Sequence, residues 1–208
     1  MPMLTYKRLP YLKAYIHVLA IMPLVYLGLA IDADALGGDP VQAVIHFLGK
    51  GALNLLLATL VISPLAKRYK EGLLISTRRV VGLYCFFYAS LHLVAFAWLD
   101  LGWDIALLLK ELVKRPYIWL GMIAFIILLL LALTSPMWVH RKMKRNWQKL
   151  HNFIYLAAIL TPVHYYLSVK SGWIEPIIYA LLVVFLLSQR RKVVIKLLSN
   201  IYCFFKKT

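Results

Sequence analysis

Apolar residues in this chain run in unbroken stretches rather than in alternation, and short polar breaks divide them into six spans: 16–31, 44–64, 80–98, 117–134, 150–169 and 174–187. A hydrocarbon core about 30 Å thick takes about 20 residues of helix at roughly 1.5 Å per residue. In lipid every backbone N–H and C=O must be satisfied within the segment, and a membrane β-barrel would show a period of two, so continuous apolar runs predict helices. The expected fold class is an all-α integral membrane protein, a six-transmembrane-helix bundle. Beyond the last span, Val193, Val194, Leu197, Leu198, Ile201 and Phe205 recur at helical spacing among basic residues, which predicts a cytoplasmic amphipathic C-terminal helix on the inner leaflet. The chain thus divides into a membrane domain, residues 1–189, and a basic tail, residues 190–208.

Composition agrees with a membrane as the solvent, since 62% of the residues are hydrophobic and only 8 are acidic. The net charge of +16 would suit nucleic acid, but its placement speaks for orientation instead. Lys7, Arg8 and Lys13, the group from Lys67 to Arg79, the group from Arg141 to Lys149, and the tail all fall on one side; Asp32, Asp34, Asp39, Asp100, Asp104, Glu111 and Glu175 fall on the other. Both termini are expected in the cytoplasm (N-in/C-in), in a multi-pass protein of the bacterial inner membrane with lipids, not nucleic acid, as its surroundings. Ala33-Asp34-Ala35 has the small-residue pattern of a leader cleavage site. An uncleaved first helix is the preferred reading, because acidic residues crowd that site and Pro23 lies within the run.

The candidate chemistry is in the histidines. His92 sits inside the third span, thirteen residues past Arg79, and His164 lies thirteen past His151 in the fifth, on a helix expected to run the same way. His92 and His164 are therefore predicted at one depth near the outer face, and His151 near the inner face. An ionisable group within a membrane must find a hydrogen bond, a water-filled cavity or a metal. Two imidazoles at matched depth suit a low-spin haem, which takes strong ligands from both sides. On a straight helix thirteen residues turn a side chain by about 140°, so a kink at Pro162 is expected to re-aim His164. No CxxCH motif or cysteine cluster occurs, and any haem should be non-covalent haem b. Lys50, between Gly49 and Gly51, either snorkels to the interface or pairs with a haem propionate, and His17 reads as an interfacial histidine.

Taken together, Arg78-Arg79-Val80-Val81-Gly82-Leu83-Tyr84, His92, Lys114-Arg115-Pro116-Tyr117, Leu133-Thr134-Ser135, and Trp147-x-x-Leu150-His151 through Pro162-x-His164 resemble the ferric-reductase-like transmembrane domains. Within them the likeness is to the haem-binding membrane subunits of periplasmic methionine sulfoxide reductase systems, and it covers nearly the whole chain. The resemblance implies b-type haem and electron delivery to a periplasmic molybdopterin methionine sulfoxide reductase catalytic subunit that repairs oxidised methionine. The wider superfamily places two histidines on each of two helices. Here His92 and His164 match the outer pair and His151 one inner ligand, but Arg78 or Arg79 stands where the fourth histidine would be. The inner level is then left to a haem with an unusual ligand, a quinone or flavin mononucleotide (FMN); the resemblance favours FMN, with Arg78 and Arg79 as its phosphate partners.

A nicotinamide-binding domain is not expected, because no GxGxxG or phosphate loop is present and only about 20 residues follow the last span. Electrons are expected from a membrane quinol or a separate flavin reductase. Two alternatives stand beside this reading. One is a free-standing metal reductase or quinol-oxidising cytochrome. The other is a small transporter or scaffold whose histidines serve as proton relays or interhelical hydrogen bonds.

Overall fold

The computed structural model describes residues 4–169, 172–191, 193–195 and 199, so Cys203 and most of the expected tail helix lie outside the described residues. Among the described residues, four helices are long and apolar enough to cross a membrane: α1 (Leu9–Asp32), α2 (Pro40–Arg68), the composite segment Gly72–Asp100 and α5 (Pro116–Leu133). The composite segment joins a 3-10 stretch, Gly72–Thr77, to α3 (Arg78–Ala95) and a π-helical turn, Phe96–Asp100. The short helix α4 (Ile105–Lys114) follows it.

The fifth predicted span is not one helix. It divides into α7 (Arg145–His151) and α8 (Ile154–Ser168), preceded by the short α6 (Met137–Met143). Phe153 N–H reaches back to Leu150 O and Tyr155 N–H to Asn152 O, three residues each, so the ladder tightens and the α-helical register is lost there. The Asn152 side chain accepts from Gln148 Nε2 at 2.8 Å, a contact one turn back along α7. The single helix expected from His151 to His164, re-aimed at Pro162, is therefore corrected. The chain is interrupted at Asn152 and Phe153, whereas Pro162 lies inside the continuous α8. The sixth predicted span is the shorter apolar helix α9 (Ile174–Ser188).

The chain forms two compact units, Met1–Val113 and Lys114–Thr208. In the first, Asp39 caps α2 by accepting from Gln42 N–H at 3.0 Å, and Pro40 fills the first turn, where no N–H partner is needed. A core of Leu27, Ile45, Leu48, Tyr88 and Ala95 joins α1, α2 and α3. Tyr88 donates its hydroxyl to Ala20 O at 2.7 Å, and Cys85 donates to Ala52 O at 3.3 Å, so two polar groups that lipid would penalise are satisfied between helices. In the second unit, Pro116 opens α5, and α8 packs on it through Ala124, Ile127, Leu131 and Ala157. Ala157 and Ala158 are fully buried, and their small side chains let α8 lie close to its neighbours.

Apolar side chains also cover the outside. Met22, Val25, Tyr26 and Leu29 on α1, and Leu181, Val184 and Phe185 on α9, are exposed. Such continuous apolar faces would be an aggregation hazard in water, whereas lipid covers them at no cost.

Candidate functional site

His92 and His164 are held by the same device. In the first unit, His92 on α3 directs Nδ1 at Ile45 O on α2, 2.9 Å away. In the second, His164 on α8 directs Nδ1 at Tyr117 O on α5, 2.7 Å away. A carbonyl only accepts, so Nδ1 carries the proton in both rings and the lone pair of the neutral imidazole is on Nε2. The spacing is also the same, 47 residues from carbonyl to histidine in each case. One helical turn past each carbonyl is a glycine. A Cβ placed on Gly49 would lie 3.1 Å from His92 Nδ1 and Cε1, and one on Gly121 would lie 2.7 Å from His164 Cε1. Each ring therefore rests against the bare backbone of the facing helix.

Both rings are half-buried and both present the tautomer that a metal ligand needs, with the second nitrogen hydrogen-bonded so as to set orientation and raise basicity. One turn before His164, the buried Thr161 hydroxyl finds no hydrogen-bond partner among the described residues. Among the described residues no three His, Cys, Asp or Glu side chains gather into a cluster. This donor chemistry fits haem, which brings its own four nitrogens and asks the protein for axial ligands.

His151 is held differently. Thr134 Oγ1 lies 2.6 Å from Leu130 O, which takes its proton, and the same oxygen accepts from His151 Nε2 at 3.1 Å. The proton of His151 is thus on Nε2, the reverse of the other two. Its ring stacks on Trp147 at 3.7 Å between centroids, and Trp147 Nε1–H donates to Thr134 O at 2.8 Å. His140 meets Trp147 in a T-shaped contact at 4.5 Å between centroids. Stacking and the two bonds to Thr134 anchor α7 to the end of α5.

The remaining candidates are dispersed. Arg78 and Arg79 open α3, thirteen or more residues before His92, or about 20 Å of helix rise, so the structure does not bring them to that imidazole. Lys50 is half-buried on α2, one residue past Gly49. His17 is exposed on α1, with Nδ1 2.7 Å from the Tyr84 hydroxyl. An apolar groove of about 230 Å³ lies beside this pair, walled by Val80, Leu83 and Phe87. The residues that reading the sequence missed are Gly49, Gly121 and the carbonyl-bearing Ile45 and Tyr117. The equal spacing from each glycine to its histidine was the available signal.

The ferric reductase like transmembrane component family matches residues 44–162, a stretch that contains His92 and His151 and ends two residues before His164. A protein of Pectobacterium atrosepticum, named protein-methionine-sulfoxide reductase heme-binding subunit MsrQ, is 51% identical over 190 residues, which is 91% of this chain and 96% of the relative. A protein of the same name from Pectobacterium carotovorum subsp. carotovorum is 50% identical over the same shares. No solved structure matches the chain. With identity at this level along nearly the full length of both partners, the chain belongs to the ferric reductase-like transmembrane family, within its MsrQ group.

Proposed function

We propose that this chain is the haem-binding membrane subunit of a methionine sulfoxide reductase system, with His92 and His164 as axial ligands of a haem b. The observation that carries this reading is the pair of Nδ1-to-carbonyl hydrogen bonds from His92 and His164. Two intramembrane histidines serving only as helix-helix hydrogen bonds would need no common tautomer, no common spacing and no glycine beneath each ring. The names of the relatives support haem binding and the association with a sulfoxide reductase. When bound, haem b supplies a one-electron couple whose potential is tuned by axial ligands and burial. The chain's own part is to hold each imidazole in the ligating tautomer against the facing helix of its own unit.

The topology consistent with the charge pattern is N-in/C-in, with six crossings if α8 and α9 each traverse the bilayer despite their 15 residues. A 15-residue helix rises only about 22 Å, so local thinning or polar flanks would complete each crossing. Electrons would then pass from the cytoplasmic side or the quinone pool to a periplasmic molybdopterin methionine sulfoxide reductase. Two donors fit the inner end. Arg78 and Arg79 would hold the phosphate of FMN reduced by a flavin reductase. The apolar groove beside His17 and Tyr84 supports the quinol branch. His151 is the candidate ligand of a second, inner cofactor, and ligation through its Nε2 would require it to leave Thr134. Lys50 is the candidate propionate partner.

A reduced-minus-oxidised spectrum of the purified chain tests the core of this reading. A b-type band that disappears in both His92→Ala and His164→Ala is expected. A colourless, folded protein would favour the transporter or scaffold reading instead. Co-purification with a periplasmic sulfoxide reductase, and its reduction by the chain, separates this system from a free-standing metal reductase.

A further inference from the structure

We propose that Gly49 and Gly121 are positioning residues for the two imidazoles, and that they act on different atoms of the two rings; the proposal rests on the reading of His92 and His164 as axial ligands. The covalent tether and a single hydrogen bond from Nδ1 to a carbonyl still leave the ring plane some freedom to tilt. The second restraint is contact with the facing helix at the glycine one turn beyond the acceptor. Together the bond and the contact set both the place and the plane of the ring.

Glycine at these two sites runs against local preference. Gly49 and Gly121 lie in helix interiors, where alanine is the better helix former, and neither has a positive φ that would demand glycine. Open space does not account for them either, because the imidazole takes up the room of the missing Cβ in each case. Gly82, also mid-helix, differs: its nearest neighbour would be Thr59 Cγ2 at 3.8 Å, an ordinary contact.

The two cradles are not equally tight. A Cβ on Gly121 would meet His164 Cε1 at 2.7 Å, Nδ1 at 2.9 Å and Nε2 at 3.2 Å, so it presses on the whole outer edge of the ring, including the atom that carries the lone pair. Nearest to a Cβ on Gly49 would be His92 Cε1 and Nδ1 at 3.1 Å and Cγ at 3.7 Å, which is the hydrogen-bonded side of the ring. Gly121 therefore places the ligating nitrogen of His164. Gly49 guards the hydrogen bond from His92 to Ile45 O, through which the basicity of that ligand is tuned.

The experiment compares Gly121→Ala, Gly49→Ala, Gly82→Ala and His164→Ala, each purified in detergent, by haem content per chain, low-spin electron paramagnetic resonance and midpoint potential. Gly121→Ala is expected to lose haem or to show a changed low-spin g-pattern. Gly49→Ala is expected to keep its haem with a displaced potential, and Gly82→Ala to match the unaltered protein. The positioning role is overturned if both Gly121→Ala and Gly49→Ala keep the unaltered signal and potential, or if Gly82→Ala shifts as much as they do. If His164→Ala itself retains the unaltered low-spin signal, the ligand assignment fails, and that result is distinct from the failure of the glycines alone. Should Gly121→Ala not accumulate in the membrane, the milder Gly49→Ala, judged on its potential, decides the proposal.

Discussion

Gly51→Ala tests the packing that brings α2 up to α3 beside His92. A Cβ at this position would lie 2.6 Å from Tyr88 Cε1, and nearer still to Cδ1, well inside any real contact. Tyr88 cannot retreat easily, since it is 1% exposed and its hydroxyl is bonded to Ala20 O at 2.7 Å. Overpacking of this kind costs about 1–3 kcal/mol. If the ring moves far enough to release Ala20 O, a buried group loses its partner at a further cost of about 1–3 kcal/mol. Against this stands the helix preference of alanine over glycine, about 1 kcal/mol. The expected net effect is a destabilisation of roughly 0–2 kcal/mol if the bond to Ala20 O holds and roughly 1–5 kcal/mol if it is lost, measured by reversible unfolding in mixed micelles with helicity as the signal. Combining Gly51→Ala with Tyr88→Leu should recover part of that loss, a coupling of about 1 kcal/mol or more. A Gly51→Ala protein that is more stable than the parent, by about the helix-preference term alone, would refute the reasoning.

Other consequences can be measured directly. Thr134→Val removes the acceptor of His151 Nε2 while keeping the shape of the side chain. It should loosen α7 from the end of α5, seen as faster protease cleavage between 137 and 151, and leave the His92 and His164 signals untouched. Arg78→Gln with Arg79→Gln should weaken FMN binding by roughly tenfold or more if these guanidiniums hold its phosphate, given about 1.5–3 kcal/mol for a charged hydrogen bond; unchanged flavin would remove them from that role. Lys50→Met should weaken haem retention if the ammonium pairs with a propionate. Full haem loading in that variant would leave only the snorkelling lysine.

The membrane as solvent, the all-helical fold and the histidines worth asking about were legible in the chain itself. Hydropathy and charge are sums over neighbouring residues, and lipid allows few backbone solutions, so 62% hydrophobic content in continuous runs decides the class before any contact is known. Family membership was readable for a related reason: the matching residues are spread along the chain in fixed order, and reading their order does not need the fold.

What the chain alone did not reveal depends on groups that have no side chain to read. The acceptors for His92 and His164 are backbone oxygens of Ile45 and Tyr117, and their platforms are glycines. Any residue type supplies a carbonyl, so only the packing of α2 on α3 and of α5 on α8 could show which one each ring would meet. The break at Asn152 and Phe153 left a faint trace, the polar pair His151-Asn152 at the start of the fifth apolar run, but only the structure showed the three-residue hydrogen bonds there and the contacts of His151 and Trp147 with Thr134. Thus the sequence determined which residues enter the membrane, and the packing of helix on helix determined which nitrogen of each histidine carries the proton.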